Sequence, residues 1–286
     1  MREGVAIVEK IERMAQGFSG TLGVAAAPLA GAEERAPVFW NAQAVFPPAS
    51  VIKVPIMVAV VRTLPLDMPL RVELEAHVTG SGILKDLSAG TYSVRDLLVL
   101  MIAISDNTAT NVLIDAVGRD RINETAEALG LRNTWLSGKL QLPPEQWNAD
   151  QRANRRSRTT PADMLSLLEQ IYRGEAAEAA ACKEMLSILH TQQYTHVLGR
   201  YLPYDPDAVE EGAAEVVIAG KSGAIRGVRN EIGIITAGPV TYAVSLFTQG
   251  CRDRRFYVDN EAERLLARLS RLLFDHFTDQ TPCRAD

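Results

Sequence analysis

Apolar positions along the chain change period several times. Ala6, Ile7, Ile11 and Met14 recur at helical spacing among charges, which predicts an amphipathic helix ending near Gly17. Thr21 to Ala27 and Val38 to Phe46 are short, largely apolar runs separated by Gly31 and a charged turn, the pattern of a two-stranded hairpin. From Ser50 to about Ile188 the patterns are mostly helical. Ser93-Val94-Arg95-Asp96 is a variant of the capping box, and Thr160-Pro161-Ala162-Asp163 sets a capping hydroxyl before a first-turn proline. Between these helices, Leu140 to Arg158 holds two prolines, four arginines and few apolar residues, and reads as a long surface loop. Val216 to Ala219, Glu231 to Thr236 and Thr241 to Thr248 predict three antiparallel strands. Leu265, Leu266, Leu269, Leu272, Leu273 and Phe277 predict a closing helix. This order predicts an α+β fold: an antiparallel sheet of about five strands built from both ends of the chain, with an all-helical insert. Residues 1–48 with 205–286 would form the sheet domain and residues 49–204 the helical one, in one structural unit.

Composition then excludes more than it identifies. The 286 residues, 47% hydrophobic and 23% charged, suffice for one large core or two modest ones. A net charge of −5 argues against a nucleic-acid partner. Cys182, Cys251 and Cys283 are too few and scattered for a disulfide framework or a zinc site, so no metal or cofactor is expected. His77, His190, His196 and His276 lack ligand spacing and read as surface or structural residues. Arg152, Arg155, Arg156 and Arg158 read as a solvated, loop-anchoring face, and Trp40, Trp135 and Trp147 as packing residues, with Trp147 also suited to a pocket mouth. No run approaches a membrane span, and the first twenty residues are too charged for a secretory leader. The expectation is a cytoplasmic chain as the sequence stands, or a periplasmic or secreted one if a leader was removed.

Three short motifs carry the chemistry. Ser50-Val51-Ile52-Lys53 opens an apolar helical segment, so an amine stands one turn behind a hydroxyl at a helix N-terminus. A buried lysine beside other cations loses its charge at neutral pH and can act as a base, while the helix end offers N–H groups to an oxyanion. Ser105-Asp106-Asn107 joins two helices; it suits an Asx turn, and equally a proton-shuttling hydroxyl with an amide for substrate. Lys221-Ser222-Gly223 ends the first late strand, where a glycine lets a ligand backbone approach closely. S-x-x-K alone occurs by chance roughly once in a chain of this length. The three in one order are the signature of class A β-lactamases and penicillin-binding proteins.

From about Phe46 to Thr248 the chain resembles that superfamily. Gly80-Ser81-Gly82-Ile83-Leu84, Thr108-Ala109-Thr110-Asn111, Thr159-Thr160-Pro161 and Arg226-Gly227-Val228-Arg229 match its pattern as well. The resemblance implies a three-layer α/β/α fold and a serine hydrolase that opens a β-lactam through an acyl-enzyme on Ser50. Lys53 would be the base, Ser105 the relay to the leaving nitrogen, and Lys221 its support. Ser222 and Arg229 would bind a substrate carboxylate, and Asn107 the acylamide side chain. The N–H groups of Ser50 and Ala224, beside Gly223, would form the oxyanion hole. Lys53, Lys221 and Arg229 together predict a locally positive pocket.

Departures from the family pattern open an alternative. The family's deacylating glutamate stands four residues before an asparagine, whereas Glu145 precedes Asn148 by three, and Ser157 replaces a loop-stabilising aspartate. Glu145 is therefore a provisional deacylation base. The strand after Gly223 is also one residue shorter before Arg226. The alternative is a related amidase, esterase or D,D-peptidase acting on another carboxylate-bearing amide or ester, with slow or no β-lactam turnover. A third reading, a binding module without chemistry, needs fewer intact residues than this chain has. A monomer or weak dimer is expected.

Overall fold

The computed structural model describes residues 2–278; Cys283 lies outside them. Helix α1 (Arg2–Gln16) leads into β1 (Thr21–Ala30) and β2 (Val38–Trp40), and the chain returns at its far end as β5 (Val216–Ile225), β6 (Val228–Ala237), β7 (Val240–Gln249) and α10 (Glu261–Thr278). The five strands form one antiparallel sheet in the order β2-β1-β7-β6-β5, so β5 is an edge. Its strands read as nearly continuous apolar runs because both faces are covered. Leu22, Val24, Ile235, Tyr242, Val244 and Leu246 face a core completed by Ile7 and Ile11 of α1 and by Leu265, Leu266, Leu269, Leu273, Phe274 and Phe277 of α10. Ala25, Ala219, Ile232, Ile234, Ala243 and Phe247 face the helical block on the other side. The result is the expected three-layer α/β/α architecture.

The helical block comprises α2 (Lys53–Thr63), α3 (Val94–Ala103), α4 (Asn107–Val117), α5 (Arg119–Ala128), α6 (Ala149–Arg152), α7 (Pro161–Arg173) and α8 (Ala179–His190). Lys53 through Val60 of α2 are all buried, which explains a helix apolar on every side, and Pro55 sits in its first turn where no N–H is missed. The two capping predictions hold. Ser93 and Asp96 close a reciprocal box at α3, and Thr160 Oγ1 accepts from the Asp163 N–H ahead of Pro161. No helix of the described residues is long and apolar enough to cross a membrane.

Several boundaries differ from expectation. Strand β2 stops at Trp40, because Asn41 turns with a left-handed φ of 46° and donates its side-chain amide to Leu22 O. A small sheet, β3 (Pro69–Val72) with β4 (Gly90–Ser93), and a short helix α9 (Pro206–Glu210) lack sequence periodicity long enough to reveal them. Strand β5 does not end at Lys221-Ser222-Gly223 but runs through it to Ile225. It turns there at Arg226-Gly227, since Ile225 pairs with Val228 and Gly227 has a φ of 77°. That two-residue turn accounts for the short connection before Arg229.

Candidate active site

A cleft of about 290 Å³ opens beside β5, lined by Ser50, Ser81, Ser105, Ser222, Gly223 and Ala224, among others. Its floor is the entry to α2. Ser50 lies in the 3₁₀ turn Ala49–Ile52, which passes directly into that helix, and Ala49 holds a left-handed φ of 47°. Ser105, between α3 and α4, holds a φ of 58°. Non-glycine residues tolerate that region only where surrounding structure enforces it, and here the two positions flank or carry the hydroxyls of Ser50 and Ser105.

Lys53 joins these two turns. It is fully buried, and Nζ donates to Ser105 O at 2.7 Å, Ser105 Oγ at 3.0 Å and Asn107 Oδ1 at 2.9 Å. Burial, then repulsion from Lys221, holds its pKa well below the ordinary lysine range, with Asp106 opposing. Lys221 is also fully buried; burial lowers its pKa to about 7 against the pull of Glu231, and its Nζ donates to Ser222 O at 2.9 Å. Two lysines that give up charge readily thus stand behind the cleft, the condition a basic amine requires.

Asp106 braces the adjacent wall. It caps α4 by accepting from Ala109 N, and its second oxygen accepts from Ile83 N and Leu84 N at 2.7 and 2.9 Å, holding the loop that carries Ser81. Gly82 has a φ of 110°, and a Cβ there would lie 2.3 Å from the Asp106 carboxyl carbon. Asn107 donates to Thr79 O at 3.1 Å. Gly223 packs on the Ser50 turn so closely that a Cβ would fall 2.9 Å from Ser50 N and 3.1 Å from Val51 N. The N–H of Ser50 therefore borders the edge strand that also carries Ala224.

The long loop takes its place through polar clamps. Asn111 holds the Leu140 backbone from both sides, at 2.7 and 2.8 Å, and Gln141 stands near Asn107 across Gly80. Trp147 Nε1 donates to Leu142 O, Asn148 caps α6, and Arg119 pairs with Asp150 at 2.6 Å. Ser157 Oγ accepts from Ser137 N at 3.0 Å. Glu145 sits in the 3₁₀ turn Pro144–Gln146, exposed, and is not among the residues lining the cleft.

Arg229 does line the cleft, but as an ion pair: its Nε donates to Glu263 Oε1 at 2.7 Å. Sequence reasoning did not single out Glu231, Glu263 or Phe256 and read His196 only as a surface or structural residue, yet all four line the same cleft. A glutamate inside the apolar run of β6 was a readable signal for Glu231. Glu263 and His196 had none, since one sits in the first turn of a helix and the other in a connecting segment. The expected gathering of Lys53, Lys221 and Arg229 is joined at this end by two carboxyls, Glu231 and Glu263, beside one guanidinium.

Comparison with known proteins identifies the family and the fold. The model of the beta-lactamase enzyme family matches residues 6–277. A solved beta-lactamase from Sphaerobacter thermophilus DSM 20745 superposes with a TM-score of 0.81 at 28% identity, covering 97% of this chain and 99% of that one. A mutant of PBP-A, solved as an acyl-enzyme complex with penicillin G, gives 0.79 at 24% identity, covering 96% and 97%. A class A beta-lactamase representative from Bacteroides cellulosilyticus DSM 14838 gives 0.80 at 21%, covering 97% and 99%. Among curated proteins none matches the chain.

Proposed function

The chain belongs to the beta-lactamase enzyme family and is a serine hydrolase, and on that premise we propose that Ser50 attacks an amide or ester carbonyl and carries the acyl group. The observation that carries this reading is the buried amine of Lys53, bound to Ser105 and Asn107 one turn behind Ser50. Lys53 gives up one of the three protons it directs at Ser105 and Asn107, as its lowered pKa allows, and the neutral amine takes the Ser50 proton while Oγ bonds to the carbonyl carbon. The oxyanion receives N–H donation from Ser50 and Ala224. When the tetrahedral species collapses, the C–N or C–O bond breaks and Ser105 Oγ–H protonates the leaving atom, Ser105 being resupplied from Lys53. Asn107 holds the acyl side chain, Ser222 borders the leaving group, and Lys221 stands buried behind it. β-Lactams fit this acylation step, and the PBP-A complex with penicillin G is an instance of it in a neighbour of the same fold.

The position of Glu145 favours the related amidase, esterase or D,D-peptidase reading over rapid β-lactam turnover. A linear ester or amide sheds its leaving group and opens room for a water beside Lys53. An opened β-lactam keeps its amine tethered in the cleft and needs a separate base, which an exposed carboxyl outside the cleft does not supply. Incubation with penicillin G followed by intact-mass spectrometry tests the proposal. A single penicilloyl adduct on the wild type that persists for minutes, and none on Ser50→Ala, is the expected result. Absence of any adduct or turnover with penicillin G, nitrocefin and p-nitrophenyl esters overturns it.

A further inference from the structure

The cleft beyond Ser222 has a charge pattern that bears on what the substrate presents there. Across the β5–β6 ladder Ser222 pairs with Glu231 and Ala224 with Arg229. Side chains alternate along each strand, so these four share one face of the sheet edge. Lys221 projects from the opposite face, its Nζ held by Ser222 O.

Arg229 is committed to the protein. It is 3% exposed; Nε donates to Glu263 Oε1 at 2.7 Å, Nη1 to Ile225 O and Val228 O at 2.9 and 2.8 Å, and Nη2 to Arg255 O at 2.6 Å. One N–H on Nε, two on Nη1 and one on Nη2 thus have acceptors, leaving a single donor of the guanidinium uncommitted. Phe256 covers the guanidinium face, with Cζ 4.4 Å from the ring centroid. Arg255, on the same rim, forks onto Asp253.

Two carboxyls are less committed. Glu263 Oε2 is buried without a hydrogen-bond partner, and His196 Nε2 stands 3.5 Å from it. Burial works to raise the Glu263 pKa, yet His196 and Arg229 outweigh it and hold the group below the ordinary range, so it is ionised. Glu231 is 3% exposed and lines the cleft, and among the described residues no side-chain or backbone donor reaches its carboxyl. Burial, with Glu263 adding repulsion, raises its pKa well above the ordinary range against the pull of Lys221. A carboxylate entering here meets an ionised Glu263 and an arginine already neutralised by it. An N–H donor instead meets Glu263 Oε2, which lacks a hydrogen bond, and the carboxyl of Glu231 as acceptors.

We infer that this end of the cleft selects substrates that present an uncharged N–H donor, such as a carboxamide, where penicillins and D-alanyl peptides present a carboxylate. The inference rests on Ser50 being the acylated nucleophile and specifies the substrate class of that same site. A polar site rejects a mismatched partner strongly because its own buried groups are left unpaired.

The test uses two thioesters of one acyl group, phenylacetylglycyl mercaptoacetamide and phenylacetylglycyl mercaptoacetate. Thiol release gives kcat/KM, and each value is divided by the hydroxide-catalysed hydrolysis rate of that thioester. A fluorophosphonate probe of Ser50 runs alongside. The expected result is a preference for the carboxamide of about tenfold or more in the wild type. Glu263→Gln, which releases Arg229 from its counter-ion, should shrink that preference about tenfold, and Glu231→Gln should shrink it less, because the amide still accepts one hydrogen bond. The wild-type comparison stands by itself if Glu263→Gln does not fold. Equal or faster reaction of the carboxylate in the wild type overturns the inference and leaves the hydrolase reading intact. Failure of both thioesters and of the fluorophosphonate overturns the hydrolase reading itself.

Discussion

Asp106→Ala should be far more damaging than its position beside Ser105 suggests. The Asp106 carboxylate is buried and accepts three backbone N–H groups, from Ile83 at 2.7 Å and from Leu84 and Ala109 at 2.9 Å. Alanine removes all three acceptors and leaves buried donors, each costing about 1–3 kcal/mol when unpaired. The Ala109 contact is a helix N-cap, a class of interaction worth about 1 kcal/mol on its own. Allowing for water entering the space left behind, a loss of about 3–6 kcal/mol follows, a large part of the 5–15 kcal/mol typical of a folded domain. Asp106→Asn keeps one acceptor oxygen and should lose about half as much. The loop held by this carboxylate carries Ser81 of the cleft wall, so KM should rise in both variants. Asp106 also supports the charged form of Lys53, so in Asp106→Asn the acid limb of the acylation profile should move to lower pH. Urea unfolding followed by circular dichroism measures the first effect and penicillin acylation rates at pH 5 to 10 the last. A loss below about 1 kcal/mol for Asp106→Ala would show that the three N–H groups find other partners and that the reasoning is wrong.

Gly223→Ala forces a methyl within about 3 Å of Ser50 N and Pro48 O, displacing one oxyanion donor. Its kcat for an activated ester should fall about 10²- to 10³-fold, and a change under threefold would remove Ser50 N from that role. The Lys221 pKa of about 7 lies below the unfolded value, so between pH 7 and 10 the unfolded chain binds more protons and stability should rise with pH. Urea midpoints at pH 7.5 and 9.5 should show that rise in the wild type and a smaller one in Lys221→Met; parallel behaviour of the two proteins would contradict the assigned shift. Glu145→Gln should leave the decay of a penicilloyl adduct unchanged, whereas a trapped adduct in that variant would return Glu145 to the mechanism.

Helical and strand periodicity, two caps and three short motifs were legible in the linear chain because each depends on neighbours a few residues apart. They give the order of elements and the grouping of Ser50 with Lys53 and of Ser105 with Asn107, while the three layers were implied by the family resemblance those motifs carry. The same reading extended β2 too far and ended β5 too soon, because Asn41 and the Arg226-Gly227 turn act through backbone torsions that hydrophobicity does not record. Only the tertiary structure decides what surrounds the motifs. It sets Lys53 against Ser105 across the helical block, leaves Glu145 on an exposed turn, and brings Glu263 from the last helix onto Arg229 of β6. Charge and burial at a site are sums over groups distant in sequence, and the charge at the Ser222 end follows from the pairing of Arg229 with Glu263, which no local pattern joins to Ser50.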